Sequence, residues 1–186
     1  MTTQSPPVVP AETLTAVWLT AEGLEAALMD YVDLLAACID GGASIGFLLP
    51  VAQSRLEQYW RAVAVAVAAD ERRVLGLCLD GRLAGSVQLG LSMPQNGAHR
   101  VDLGKLLVHP WARGRGLSRL LMQAAEGEAR RLGRSLIVLD TEEGSLAESL
   151  YPRFGYQEAG RIPDYACNPG GTLHPTVLFY KRLKPA

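Results

Sequence analysis

One segment constrains the fold of this chain more than any other. An apolar run at 101–108 passes through a turn containing Gly114 and Gly116 into a helical pattern at 117–132 that ends at Gly133. A strand that leads through glycines into a helix leaves the first N–H groups of that helix unpaired. Because these groups lie at the positive end of the helix dipole, the segment predicts a cradle for phosphate oxygens.

The first third of the chain predicts a strand followed by two helices. Residues 13–19 are expected to form the strand, and the apolar stripe from Leu24 to Cys38 predicts a helix that stops at the glycine pair 41–42. A second helix is expected to start at a capping box made by Ser54 and Glu57.

The middle and end of the chain predict mostly strands. Two β-rich runs, 74–79 and 83–91, flank Asp80-Gly81, one of the best short signals for a hairpin. A buried strand is expected at 135–139, and two further strands near 156–162 and 176–182.

A short helix is expected between these strands. Ser145 and Glu148 form a capping box that opens it, and it is expected to run through Tyr151, although Pro152 should strain the helix or end it early. The order of elements predicts an α/β protein (α+β in some schemes), in which a mixed, mostly antiparallel sheet carries helices on both faces.

Length and composition indicate one globular domain. The chain has 186 residues, of which 48% are apolar, so residues 11–186 suffice for one domain with a real core. Residues 1–10 resemble a loose leader and lack the features of a secretory signal. No run approaches 18 uninterrupted apolar residues, so no membrane span is expected.

Charge and cysteine content exclude several classes of function. A formal net charge of −1 argues against a nucleic-acid partner bound through a basic surface. Cys38, Cys78 and Cys167 include no CxxC pair, which argues against a disulfide framework or a metal site. Cys38 and Cys78 are expected to be core thiols, and a reducing cytoplasm is the expected location.

The glycine turn matches neither common nucleotide-binding signature. The Gly-Lys-Ser/Thr ending of a P-loop is absent, and the third glycine of a dinucleotide fingerprint is replaced by Arg119. A bare GxG is also compatible with a simple tight turn. The longer pattern Arg113-x-x-Gly116-x-Ser118 resembles the R/Q-x-x-G-x-G/A signature of the GNAT acetyltransferases, with Ser118 in place of a glycine or alanine.

A second motif supports this resemblance. The run Ala147-x-x-Leu150-Tyr151-x-x-x-Gly155-Tyr156 resembles the family's A-x-x-L-Y-x-x-x-G-F/Y pattern. Two departures are Pro152 and Gly144, the latter at a position where the family often has asparagine. Within the superfamily the chain resembles the tabtoxin-resistance type of acetyltransferase, through runs at 41–47, 105–109, 139–141 and 156–163.

The resemblance implies a single GNAT-like domain that transfers an acetyl group from acetyl-CoA to a primary amine and uses no metal. The implied acceptor is a small molecule that resembles an amino acid or an antibiotic. Backbone groups at 106–108 would hold the pantetheine arm and the thioester carbonyl, and amides at 114–119 would hold the pyrophosphate. The implied cofactor-binding residues are Leu106, Leu107, Val108, Arg113, Gly114, Arg115, Gly116, Leu117, Ser118 and Arg119.

Two residues are candidates for proton transfer. Tyr151 would protonate the departing thiolate, unless it is only a core aromatic. Asp140, which is expected to end the strand 135–139, would accept the proton of the amine, unless it only anchors the ammonium group or caps a turn. Asp102, Glu142 and Glu143 are reserve bases, and His109 is interpreted as a turn residue.

Three other functions remain open at this stage. The chain could be a non-catalytic acyl-CoA sensor, an acetyltransferase acting on protein amines, or another kind of nucleotide-binding domain. The acceptor is expected to bind between the segments 39–50 and 164–175, which include Asn168 and His174. A homodimer is one assembly compatible with the sequence.

Overall fold

The computed structural model describes residues 12–184, so the leader expected at 1–10 lies outside the described residues. These residues form seven strands and five α-helices. The strands are β1 (Leu14–Trp18), β2 (Arg72–Leu79), β3 (Arg82–Gly90), β4 (Arg100–Val108), β5 (Leu136–Glu142), β6 (Gln157–Cys167) and β7 (Leu173–Arg182). The helices are α1 (Ala21–Ala26), α2 (Leu28–Asp40), α3 (Gln53–Ala68), α4 (Leu117–Arg131) and α5 (Leu146–Leu150).

All seven strands form one mixed sheet in the order β1-β2-β3-β4-β5-β7-β6. The predicted hairpin is confirmed between β2 and β3, where Asp80 and Gly81 adopt φ values of 50° and 78°. Within the described residues only β4 and β5 pair in parallel, and they are joined by the crossover through α4. The predicted fold class is confirmed.

Each face of the sheet carries its own hydrophobic core. On one face, α1, α2 and α3 pack against side chains such as Val74 and Leu107. On the other face, α4 and α5 pack against Val87, Ile137 and Phe179. Alternate residues of the central strands therefore contribute to opposite cores, as the pleat of a sheet covered on both sides requires.

Several predicted boundaries are wrong. The first helix is two helices, because the chain breaks at Ala27 after a separate α1 that Thr20 caps through the N–H of Gly23. Helix α3 begins at Gln53 after Ala52, so Ser54 lies inside the first turn and makes no cap with Glu57. Pairing with β7 extends β5 to Glu142, beyond its predicted end.

The two cysteines expected to be core thiols differ in burial. Cys38 is buried as expected, but Cys78 is half-buried, since it lies at a bulge of β2 opposite Thr15 of the edge strand.

In the part of the chain that the structure describes, no helix has both the length and the apolar character needed to cross a membrane.

Candidate functional site

The two parallel strands at the centre of the sheet separate after a short contact. They pair only from Arg100 to Asp102 of β4, opposite 136–138 of β5, although β4 continues to Val108 and β5 to Glu142. Beyond the contact, each strand pairs only with its outer neighbour. This separation leaves a cleft between β4 and β5 with backbone groups along its β4 side.

Val108 presents its backbone to this cleft. The N–H of His109 donates to the carbonyl of Ala84 in β3 at 2.9 Å. Because successive residues of a strand point their N–H and C=O groups to opposite sides, the groups of Val108 point away from β3. Of the predicted strand residues beside it, Leu107 is buried in the core of α1–α3 and Leu106 is half-buried.

The glycine turn has the geometry of an anion cradle. Gly114 and Gly116 have φ values of 79° and 75°, and Gly116 is the N-cap of α4. Between residues 12 and 184, no carbonyl or side-chain acceptor is found for the amides of 114–118, and a Cβ added at Gly116 would meet nothing within 4 Å. Free donors, open space and a helix N-terminus fit a pyrophosphate.

The arginines of the turn are engaged with the protein itself. Arg113 donates from Nε to the carbonyl of Val108 at 3.3 Å, and Arg115 forms an ion pair with Glu12. The guanidinium of Arg119 lies 5.5 Å from the ring centre of Phe154. Leu117 is buried and Ser118 half-buried at the start of α4. The anion-binding capacity of the turn therefore rests mainly on its backbone.

Tyr151 follows α5 directly and lies deep in the protein. Its ring centre is 5.5 Å from that of Phe179 and 5.9 Å from that of Tyr156, and the residue is 5% exposed. Helix α5 ends at Leu150, one residue before its predicted end at Tyr151, and Pro152 opens a short 3₁₀ helix without distorting Tyr151, whose φ and ψ of −60° and −42° stay helical.

Burial raises the pKa of Tyr151, and the negative charge of Asp140 raises that pKa further. The phenol therefore keeps its proton throughout the ordinary pH range. Half of the capping box before α5 is confirmed: Ser145 Oγ accepts from the N–H of Glu148 at 3.2 Å, but the Glu148 carboxylate accepts from the N–H of Gly144 and not from that of Ser145. A cavity of about 570 Å³ opens beside the helix, with Ser149, Pro152 and Phe179 in its wall.

Asp140 is exposed and lies within β5, so the prediction that it ends the strand is wrong. Thr176 of the neighbouring β7 donates its hydroxyl to Asp140 Oδ2 at 3.1 Å. No backbone N–H of residues 12–184 donates to Asp140, which does not fit a capping role. Asp140 lies two residues beyond Val138, the last residue of β5 that pairs with β4, and therefore on the β5 wall of the cleft.

The reserve bases are less well placed. Asp102 lies in the paired part of β4 and β5, 3.5 Å from Arg100. Glu142 contacts Nδ1 of His174 at 3.3 Å, and Glu143 forms an ion pair with Arg161. Of the predicted proton-transfer residues, Asp140 lies on the β5 wall of the cleft, and Tyr151 is the residue whose pKa the charge of Asp140 raises.

The two segments expected to hold the acceptor meet each other. The N–H of Leu49 donates to the carbonyl of Pro169 at 2.9 Å, and Ser44 Oγ lies 3.5 Å from the carbonyl of Cys167. Farther along the second segment, Asn168 Nδ2 and His174 Nε2 are 3.2 Å apart. The loop after α2 is thereby tied to the hairpin of β6 and β7 on the Asp140 side of the cleft.

Sequence reasoning missed Lys105 as a residue of the cleft. It lies in β4 with a φ of 51°, at an irregularity in the pairing of β3 and β4, and its Nζ donates to the carbonyl of Ile45 at 2.7 Å. A lysine inside the apolar run 101–108 was the available signal. The bulge that turns it toward the loop has no signature in the sequence.

Comparison with known proteins gives a consistent result. The model of the acetyltransferase (GNAT) family matches residues 43–156, more than half of the chain. An uncharacterized N-acetyltransferase of Azospirillum brasilense is 37% identical over 118 residues, which cover 62% of this chain and 68% of the relative.

Solved structures resemble the whole fold. A proposed acetyltransferase of Acinetobacter baylyi has a TM-score of 0.79 at 16% identity, covering 95% of this chain and 97% of its own. A proposed acetyltransferase of Salmonella typhimurium, solved with its cofactor acetyl-CoA, has a TM-score of 0.73 at 19% identity, with coverages of 94% and 96%. At these identities the likeness concerns the fold.

Proposed function

Because the chain belongs to the GNAT family of acetyltransferases, we propose that it moves an acetyl group from acetyl-CoA to the primary amine of a small molecule. The observation that carries this proposal is the position of the cradle. The free amides at the start of α4 follow directly on the strand that borders the cleft, so a ligand held by its pyrophosphate at Gly116 can extend along β4.

Each group at the cleft has a task in such a transfer. A backbone N–H of β4 donates to the carbonyl oxygen of the thioester, where negative charge develops as the amine attacks. Asp140 accepts the proton that the amine must lose, directly or through water. As the C–N bond forms and the C–S bond breaks, Tyr151 donates its proton to the departing sulfur.

The different surroundings of the two proton carriers support these assignments. Asp140 is exposed and accessible to an incoming amine, whereas Tyr151 is buried and has a raised pKa, so its phenol is protonated and able to donate. A sensor that only bound acyl-CoA would need neither group.

The covered acceptor side favours a small acceptor over a protein. The contacts from Leu49 to Pro169 and from Ser44 to Cys167 close the space between the loop and the hairpin, where an extended peptide would otherwise lie. The tabtoxin-resistance type, which the sequence resembles, is consistent with a small amine.

The proposal is tested by incubating the protein with acetyl-CoA and a panel of small amines, amino acids and lysine-containing peptides. Release of free thiol is followed, products are identified by mass spectrometry, and a sample without acceptor corrects for hydrolysis. We expect acetylation of one or more small amines. Thiol release with peptides alone would assign the chain to protein acetylation, and CoA binding without transfer to any amine would make it a sensor.

A further inference from the structure

Lys105 is unusual among the residues of the cleft. Four non-glycine residues within 12–184 have a positive φ, and three of them are aspartates, which tolerate this conformation. The fourth is Lys105, which has a long side chain and lies inside a strand. Such a conformation is strained and persists only where the surroundings impose it. The strain turns the ammonium group toward the loop at 45–47.

The surroundings of Lys105 are rich in donors and poor in anions. No carboxylate of residues 12–184 lies within 4.0 Å of its Nζ, which contacts the carbonyl of Ile45 and lies 5.6 Å from the ring centre of Tyr59. Burial lowers the pKa of Lys105, and so does the positive charge of Arg72, while Asp140 acts in the opposite direction. A partly buried cation without an anion is costly, and a bound anion would offset the cost.

A buried amide on the neighbouring strand, opposite the residue before Lys105, also lacks a partner. Arg72 and Tyr59 both donate to Gln88 Oε1, at 2.6 and 3.2 Å, which fixes the orientation of the amide. Its other end, Nε2, then points to no acceptor although Gln88 is 1% exposed, and the hydroxyl of the fully buried Ser86 is likewise without a partner. Unpaired buried donors of this kind indicate an acceptor that the protein itself does not provide.

The opposite wall of the cleft has the complementary charge. Asp140 of β5 is exposed, and its contact with Thr176 leaves its other carboxylate oxygen free within the described residues. Asp102 and Val138 are the last paired residues of β4 and β5, so Lys105 and Asp140 lie three and two residues farther along, on opposite walls of the cleft, and no ion pair within 4.0 Å joins them. The cleft thus presents a cation on its β4 wall and an anion on its β5 wall.

From this arrangement, and resting on the proposed acetyl transfer, we propose that the acceptor is an amino-acid-like molecule whose carboxylate is bound by Lys105 while its amine lies at Asp140. Arg72, whose guanidinium donates to Gln88 Oε1, adds positive charge near this site, and Gln88 Nε2 adds an unpaired donor. The bond from Lys105 to Ile45 uses one of the three ammonium protons, so two remain for the acceptor.

The experiment compares pairs of acceptors that differ only at the carboxylate. The common L-amino acids are measured against their C-terminal amides, in the wild-type protein and in the Lys105→Met and Lys105→Arg variants. KM and kcat are taken from thiol release. Binding without turnover is measured by the melting shift that each acceptor gives in the presence of saturating CoA. The melting temperature and CoA affinity of each variant show whether fold and cradle are intact.

We expect the acids to bind better than the amides, and Lys105→Met to raise the KM of an acid by about 10- to 100-fold, as the loss of a charge-assisted hydrogen bond implies. The KM of an amide should rise much less, because only the acid loses a charge-assisted bond, and Lys105→Arg should restore part of the difference. Equal values for acids and amides, or an equal loss for both in Lys105→Met, would overturn the carboxylate site while leaving acetyl transfer intact. Absence of transfer to any amine would instead contradict the proposed function.

Discussion

Tyr151 combines the packing of a core residue with the position of a proton donor. Its ring lies between two aromatic neighbours, which would suffice to explain its burial. A purely structural ring, however, would not need a hydroxyl close enough to Asp140 for the carboxylate charge to raise its pKa. The hydroxyl and the ring can be separated by mutation.

We predict that Tyr151→Phe lowers kcat by about 10²- to 10⁴-fold, the usual contribution of a general acid, because only the hydroxyl is lost. CoA affinity and melting temperature should change little. Tyr156→Phe is the matched control, since it removes a hydroxyl from the buried ring beside Tyr151. Equal activity of the two variants would assign Tyr151 to the core.

Asp140 is predicted to act as the base. Asp140→Asn should lower kcat, with partial recovery as pH rises, because more of the amine, with a pKa of about 10.4, is then already neutral. Asp102→Asn is the control, since it alters an exposed carboxylate at the paired end of the same two strands. A rise in KM alone would make Asp140 an anchor for the ammonium group. A lower melting temperature with both constants unchanged would show a structural role.

At the scale of single elements, helix α4 has a glycine with a positive φ at each end. Gly116, at its N-terminus, belongs to the cradle, and Gly133 lies just past its C-terminus. Gly116 and Gly133 have φ values of 75° and 69°, and a Cβ would meet nothing within 4 Å at either position. Valine at either glycine should therefore impose a similar backbone strain, of order 1–3 kcal/mol. Only Gly116 borders the free amides.

We predict that Gly116→Val weakens CoA binding at least tenfold, because the side chain occupies the space that a phosphate needs. Gly133→Val should lower the melting temperature by a similar amount and leave CoA affinity unchanged. Isothermal titration calorimetry with CoA measures both variants. Unchanged affinity in a folded Gly116→Val protein would mean that the cradle lies elsewhere.

The elements differ in how far their sequence determines them. The hairpin at Asp80-Gly81 and the strand–turn–helix at Gly116 follow from local rules, because their residues satisfy backbone needs that few others meet. Ser54 satisfies the pattern of a cap, but α3 starts one residue before it. The length of β5 depends on pairing with β7, a partner more than thirty residues away that no local pattern reveals.

For the whole molecule, the decisive feature is the separation of β4 from β5. Three residue pairs hold the strands together, and beyond them Val108 and Lys105 lie along β4 and Asp140 along β5, with Tyr151 near enough for the charge of Asp140 to raise its pKa. The motifs predicted Val108 and Tyr151, and the resemblance indicated Asp140. Lys105 required the structure, since only the bulge of β4 and the position of the loop after α2 show its surroundings.

The claim that this cleft and cradle accommodate acetyl-CoA is tested most directly by the melting temperature of the wild-type protein with CoA, ATP or NAD. At 100 times its dissociation constant, CoA should add about 2.7 kcal/mol of stability, roughly 5–10 °C for a chain of this size. ATP and NAD should give much smaller shifts. No shift with CoA at millimolar concentration, or equal shifts with all three ligands, would contradict the account.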